Sequence, residues 1–434
     1  MMSLLSNQAE EILKLNWKNG FTIPTSTLYP FQWNWDSGFT SLGLSISRVE
    51  DVILELRSLF EGQWDNGMLP HIVFHDENVK TYFPNHDFWR CEVNAGAPKR
   101  KKTSGITNPP VIGFVLEKLL ERHPDNDDLV AFVKELYPKV LAFHEFLYSF
   151  RDPFHEGLIY AFHPWETGRD NSPVWDESMD RIEIDRNLLS SYERKDLDIS
   201  NADHRPTNDQ YDRFVYLVDF GRLHQYDSPA IAKDSPFLVQ DCMMNAILIK
   251  SNEALIRIGE KLNFDTNKLK EWQSQSIKSF HQKLWNEELG VYVSYDLRVN
   301  EQIKMKEVGG FTSFFGTDVN EERAKRMNAY LMSLHDRGYF LCPSFDVDHK
   351  KYDSRRYWRG PIWPQMNWML YQGLRKHGLN ETAEIVKSDL LTLVNKLGFY
   401  EYFEPSMKIV EDLEEGYGAQ NFSWTAASVL DLIS

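Results

Sequence analysis

Two loops hold carboxylates among aromatic residues, glycine and proline: His163-Pro-Trp-Glu-Thr-Gly-Arg-Asp-Asn-Ser-Pro-Val-Trp-Asp176 and Phe399-Tyr-Glu-Tyr-Phe-Glu-Pro405. Aromatic surroundings desolvate a carboxylate and raise its pKa, which suits a general acid. A second carboxylate far along the chain can serve as the base, and such a pair is the minimum equipment for cleaving a glycosidic bond. In the first loop Glu166, Asp170 and Asp176 compete for the acid role. Asp170 follows Gly-Arg and precedes Asn-Ser-Pro, so the backbone turns sharply there and can present that side chain to a cavity. The competing reading is an Asx-turn made by Asp170 itself. In the second loop Glu401 and Glu404 are three apart and face opposite sides of an extended chain. Pro405 marks a turn just after Glu404, which favours Glu401 as the inward residue.

Three further segments share this composition. In Trp33-Asn-Trp-Asp-Ser-Gly-Phe39, Asp36 follows Trp35 and precedes Ser-Gly, a pattern that also fits a helix N-cap. Gln63-Trp-Asp-Asn-Gly-Met-Leu-Pro-His71 is another aromatic, acidic, Gly- and Pro-containing loop. Arg355-Arg-Tyr-Trp-Arg-Gly-Pro-Ile-Trp-Pro-Gln-Met-Asn-Trp368 offers Tyr357, Trp358 and Trp363 as pocket walls and Arg359 as a carboxylate partner. It reads equally as a helix start with prolines near its first turn. The sugar-binding candidates from all these segments are Trp35, Asp36, Gln63, His71, Trp165, Tyr357, Trp358, Arg359, Gly360 and Trp363.

The elements that must position these residues are mostly helices. Apolar periodicity predicts helices at Leu4–Lys18, Val49–Phe60, Pro110–Arg122, Asp128–Phe150, Tyr211–Tyr226, Phe237–Leu262, Thr266–Trp285, Glu321–Leu334, Pro364–Lys376, Thr382–Leu397 and Ser423–Ile433. Strand signals are few: His71–His75, Leu158–Phe162 and Val291–Val299. The links alternate between short polar ones, such as residues 122–128, and long ones rich in Trp, Gly, Pro and acids, at 29–40, 63–92, 163–180, 339–363 and 398–422. A ring of helix pairs would put the short links at one rim and gather the long ones around one pocket at the other. The expected architecture is therefore an all-α toroid forming a single domain over residues 1–434. Residues 177–210 interrupt the pattern with high charge and few apolar residues, as a surface excursion or cap over the pocket would.

Composition removes other classes of function. Hydrophobic residues make up 42% and aromatics 14% of the 434, so a large core can be buried. A net charge of −16 argues against a nucleic-acid partner, and the one basic cluster, Lys99-Arg-Lys-Lys102, reads as a solvated loop edge. Cys91, Cys242 and Cys342 are scattered without zinc spacing, so a reducing compartment is expected, with no metal and no cofactor. The N-terminus carries acids where a signal peptide needs an apolar stretch, and nothing approaches 18 apolar residues. A cytoplasmic protein without a membrane span is the expectation, and a homodimer is admissible.

Taken together, Trp33-Asn-Trp-Asp-Ser-Gly-Phe39, Thr103-Ser-Gly-Ile-Thr-Asn-Pro-Pro110, the Asp170-Asn-Ser-Pro173 turn, Tyr357-Trp-Arg-Gly-Pro-Ile-Trp363 and Glu401-Tyr-Phe-Glu-Pro405 resemble glycoside hydrolase family 63. The resemblance runs from about residue 29 to the C-terminus and is nearest to the glucosylglycerate and mannosylglycerate hydrolases. It implies an (α/α)6 barrel with inverting chemistry, the general acid at Asp170 and the general base at Glu401. It places a sugar-binding aspartate at Asp36 and a glycerate-binding set at Tyr82, Asn108 and Arg205. Two positions depart from that branch: Asn108 stands where Gln is usual, shortening the amide's reach by one methylene, and Val174 where Arg is usual. The implied function is hydrolysis of a small α-glucoside or α-mannoside, with glucosylglycerate and mannosylglycerate leading. A trehalase-like or oligosaccharide α-glucosidase, or a catalytically inactive carbohydrate-binding toroid, are the alternatives.

Overall fold

The computed structural model describes every residue except Met1, Lys80, Leu188 and 198–201. Six inner helices close a ring: Asn34–Leu44, Ile112–Arg122, Cys242–Leu262, the broken pair Val308–Phe311 and Ser313–Gly316, Pro364–Lys376 and Ser423–Ile433. Each packs on the next, and Ser423–Ile433 closes the circle against Asn34–Leu44. Six outer helices accompany them: Met2–Asn16, Val49–Phe60, Asp127–Phe150, Asn267–Lys283, Glu321–Asp336 and Asn380–Leu397. This is an (α/α)6 barrel.

The links sort as the ring requires. From an inner helix to the following outer one the chain takes three or four residues, as at 45–48, 123–126, 263–266, 317–320 and 377–379. The long links all run from outer to inner helices, so they collect where the inner helices begin. Short antiparallel strands staple them: Gln32–Trp33, Ile72–Phe74 and Lys102–Thr103 form one sheet, and Tyr400–Tyr402 pairs with Tyr417–Gln420. No helix among the described residues is long and apolar enough to cross a membrane.

Two inner helices are absent from the apolar periodicity. Residues 29–40 read as a loop, yet a helix begins at Asn34, and every residue of Asn34–Leu44 is buried. The same holds for Val308–Phe311 and Ser313–Gly316. A helix enclosed on all sides shows no polar face, so the 3.6-residue signal vanishes. The strand expected at Val291–Val299 is instead two, Val291–Tyr292 and Tyr295–Asp296, in different sheets, and Leu158–Phe162 contributes only the Ala161 bridge to Val239. Of the excursion at 177–210, Leu188 and 198–201 lie outside the described residues. The rest runs irregularly from helix Asp176–Asp180 to helix Asn208–Leu223, which Thr207 and Gln210 open with a capping box.

Ring closure depends on one close approach. A Cβ on Gly43 would lie 2.7 Å from the Ala427 Cα and 2.8 Å from its Cβ. Alanine is the better helix former by roughly 0.5–1 kcal/mol, but here it would push two inner helices apart at the backbone. Gly43→Ala is therefore expected to destabilise the fold by about 1–3 kcal/mol, read as a lower urea midpoint. An unchanged midpoint would show that the contact is slack.

Candidate active site

A cavity opens at the rim where the long links gather. Its walls include Trp33, Trp35, Tyr82, Trp165, Tyr357 and Trp424, with Asp36, Asp170, Asp196, Glu401, Arg205, His71 and Asn108 between them. Each carboxyl arrives on a different element. Asp36 stands in the first turn of helix Asn34–Leu44, whose cap position is Trp33. Asp170 follows a turn at Gly168, where φ is 68° and a Cβ would strike the Trp35 ring at 2.5 Å. Its neighbour Arg169 is fully buried and held by Asp241 at 2.5 Å and by Glu307, so the backbone presenting Asp170 is anchored. Glu401 sits in the middle of strand Tyr400–Tyr402.

The remaining acids of the two loops are occupied elsewhere. Glu166 is fully buried against Arg151 at 2.9 Å and accepts the Phe162 amide at 2.9 Å and the Thr107 amide at 3.2 Å. Asp176 takes both arms of Arg359, at 2.9 and 2.8 Å, and Lys351 at 3.2 Å. Glu404 accepts from Ser354 Oγ at 2.8 Å, the Ser406 amide at 3.0 Å and Tyr417 Oη at 3.1 Å, behind the cavity wall. Asp170 alone of the first loop's acids, and Glu401 alone of the second's, line the cavity.

Their electrostatics differ. Burial pushes Asp170 up to about 7, against the pull of Arg205. Burial also raises Glu401, opposed by Arg205, the Ala419 amide and Tyr29. Tyr29 Oη donates to Glu401 Oε1 at 3.0 Å and the Ala419 amide donates to Oε2 at 3.2 Å. Burial lifts Asp36 well above the ordinary carboxylate range, with the charges of Glu401 and Glu55 adding. His71 is pushed down to about 3 by burial, so it is neutral; its Nε2 accepts from Trp33 Nε1 at 3.1 Å. Among the described residues, three buried polar atoms of the wall have no hydrogen-bond partner: His71 Nδ1, Asn108 Oδ1 and Arg205 Nη1.

Of the residues singled out in the sequence, Trp35, Asp36, His71, Tyr82, Asn108, Trp165, Asp170, Arg205, Tyr357 and Glu401 meet at this cavity. Five do not. Gln63 donates to the Gly67 and Lys139 carbonyls at 2.9 and 2.8 Å. Arg359 is spent on Asp176. Trp358 and Trp363 stack on each other at 3.7 Å between ring centres, and Trp363 lies edge-on behind Tyr357. Gly360 packs against the Asp353 carbonyl. Val174 is buried in the turn Pro173–Trp175. Tyr29, Trp424, Tyr211 and Asp196 line the cavity without having been singled out. Tyr29 lacks a neighbouring acid in sequence, and its partner Glu401 is 372 positions away.

Aromatic walls around buried carboxyls, at the loop rim of an (α/α)6 barrel, fit a carbohydrate-cleaving enzyme, a glycoside hydrolase. A family model described as "Mannosylglycerate hydrolase MGH1-like glycoside hydrolase domain" matches residues 29–425, and the chain belongs to that family. It is 38% identical over 424 residues to a mannosylglycerate hydrolase of Thermus thermophilus, covering 98% of this chain and 99% of the other. It is 30% identical to a glucosylglycerate hydrolase of Mycolicibacterium hassiacum, covering 98% and 97%. A crystal structure of a family 63 mannosylglycerate hydrolase from Thermus thermophilus, in complex with Tris and D-glycerate, superposes with a TM-score of 0.92 at 38% identity, over 98% of this chain and 99% of that one.

Proposed function

We propose that this enzyme hydrolyses a small α-glycoside of glycerate, mannosylglycerate first and glucosylglycerate second, with inversion at the anomeric carbon. The observation that carries the mechanism is the sorting of acids: Asp170 and Glu401 face one cavity while their loop neighbours are tied up in structural bonds. The substrate class rests on the full-length likeness to mannosylglycerate hydrolases and on Arg205 at the cavity wall. Asp170, kept protonated by burial, gives its proton to the glycosidic oxygen as the C–O bond breaks. Glu401, oriented by Tyr29 and the Ala419 amide, takes a proton from the water that attacks the opposite face of the sugar. Trp35, Trp165 and Trp424 offer surfaces for the ring, Asp36 and His71 bind its hydroxyls, and Tyr82, Asn108 and Arg205 hold the glycerate end. This reading takes residues 1–434 as one cytoplasmic catalytic domain with 177–210 as its cap, admits a homodimer and involves no nucleic acid.

The test is a substrate panel of mannosylglycerate, glucosylglycerate, trehalose and kojibiose, with the product followed by NMR. Turnover of a glycerate glycoside with the β-anomer released first is expected. Preference for trehalose, or release of the α-anomer, would overturn the substrate or the stereochemical assignment respectively.

A further inference from the structure

One buried arginine stands where it acts on both proposed catalytic groups. Arg205 is 5% exposed; its guanidinium lies 4.1 Å above the Tyr357 ring and its Nη1 is 3.9 Å from Glu401 Oε1. Its Nε reaches Asp196 at 3.5 Å, but Arg194 already holds that carboxylate through bonds of 3.0 and 2.7 Å. Nη1 has no hydrogen-bond partner among the described residues. Its charge faces Glu401 across 3.9 Å without a direct hydrogen bond, in a buried position. Such a charge favours the ionised form of every carboxyl near it. It drives Asp170 to release the proton it must deliver, and it weakens the grip of Glu401 on the proton it must take. After burial, Arg205 is the largest influence on both groups: it opposes protonation of Asp170, the acid, while it helps to keep Glu401, the base, ionised.

We propose that Arg205 makes cleavage conditional on an anionic aglycone, because a carboxylate in the leaving group pairs with the guanidinium and cancels its charge while the acid and base act. This rests on the assignments of Asp170, Glu401 and a glycerate substrate above. Discrimination then appears in turnover and its pH dependence, beyond the affinity the ion pair supplies. The other groups facing Asp170 are Glu401 from its strand, Asp196 from the excursion, and the hydroxyls of Tyr29, Tyr82 and Tyr357. Asp36, His71 and Lys195, the last paired with Glu193 at 2.8 Å, line the same cavity. None of these changes with the charge of the aglycone as directly as Arg205 does.

The experiment compares kcat against pH for mannosylglycerate and for mannosylglycerol, in which the carboxylate is an alcohol. Cancelling Arg205 raises the Asp170 pKa, so the acid stays protonated to higher pH. The alkaline limb for mannosylglycerate is expected about one pH unit or more above that for mannosylglycerol. In Arg205→Gln the two limbs should coincide, turnover of mannosylglycerol at pH 8 should rise several-fold, and kcat/KM for mannosylglycerate should fall. Arg205→Lys, which keeps the charge, should keep the limbs apart. Coincident limbs in the wild type, with both substrates cleaved, overturn the inference and leave the functional reading standing. If no glycerate glycoside is cleaved, the functional reading itself fails and the inference falls with it. If the wild type does not cleave mannosylglycerol at all, gain of that activity in Arg205→Gln supports the inference and its absence overturns it. Should Arg205→Gln not fold, the wild type and Arg205→Lys decide.

Discussion

Asp170→Asn is expected to lower kcat/KM for a natural glycoside roughly a thousandfold, while the thermal midpoint stays close to that of the wild type. The amide keeps the shape of the side chain and removes the proton that the leaving oxygen needs. A glycosyl fluoride, whose leaving group needs little protonation, should lose far less, and that contrast separates a missing acid from a damaged pocket. The pH profile follows from the same assignment. Asp170 must be protonated, and burial raises it to about 7, so activity falls as pH rises through that value. Glu401 must be ionised, and burial raises it too, so activity falls on the acid side as Glu401 takes up its proton. In kcat/KM, which reports the free enzyme, the wild type should show a bell whose alkaline limb lies near pH 7, and that limb should disappear from the residual rate of the variant. A limb that survives in Asp170→Asn would assign the titrating acid to another residue.

How far the sequence reveals this site depends on what each residue is next to. Val49–Phe60, Pro364–Lys376 and Ser423–Ile433 begin and end where periodicity and punctuation place them. Asn34–Leu44 is invisible to the same reasoning because it is buried on every side and so shows no solvent-facing polar stripe. Asp170 and Glu401 are legible because a sharp turn or a following proline marks each loop. Tyr357 and Trp358 are adjacent in one motif, yet only Tyr357 reaches the cavity. Trp358 is committed to the stack on Trp363 that backs it, and no local pattern says which of two neighbouring rings faces inward. Arg359 illustrates the same limit, since its partner Asp176 is 183 positions away and the pairing exists only once the ring has closed. Tyr29 has no local signature at all, and long-range contact alone brings it to the base.

Glu401 and Glu404 give the sharpest contrast, because sequence separates them only weakly and the structure gives them opposite surroundings. Glu401→Gln is expected to lower kcat roughly a thousandfold with little effect on substrate binding, since the amide retains the contact with Tyr29 but cannot accept a proton from water. In Glu401→Ala, added azide should restore part of the rate on a glycosyl fluoride and yield a β-glycosyl azide, entering by the face that water uses. Glu404→Gln should behave differently. Its carboxylate accepts from Ser354, Ser406 and Tyr417, and an amide can satisfy these three donors only in part. The expected cost is about 1–3 kcal/mol of stability, with kcat within a few-fold of the wild type. Parallel measurement of kcat and of the denaturation midpoint for both variants decides the matter. A Glu404→Gln enzyme that is stable but dead, beside a Glu401→Gln enzyme that still turns over, would move the base three positions along the chain and place the attacking water on the other side of the strand.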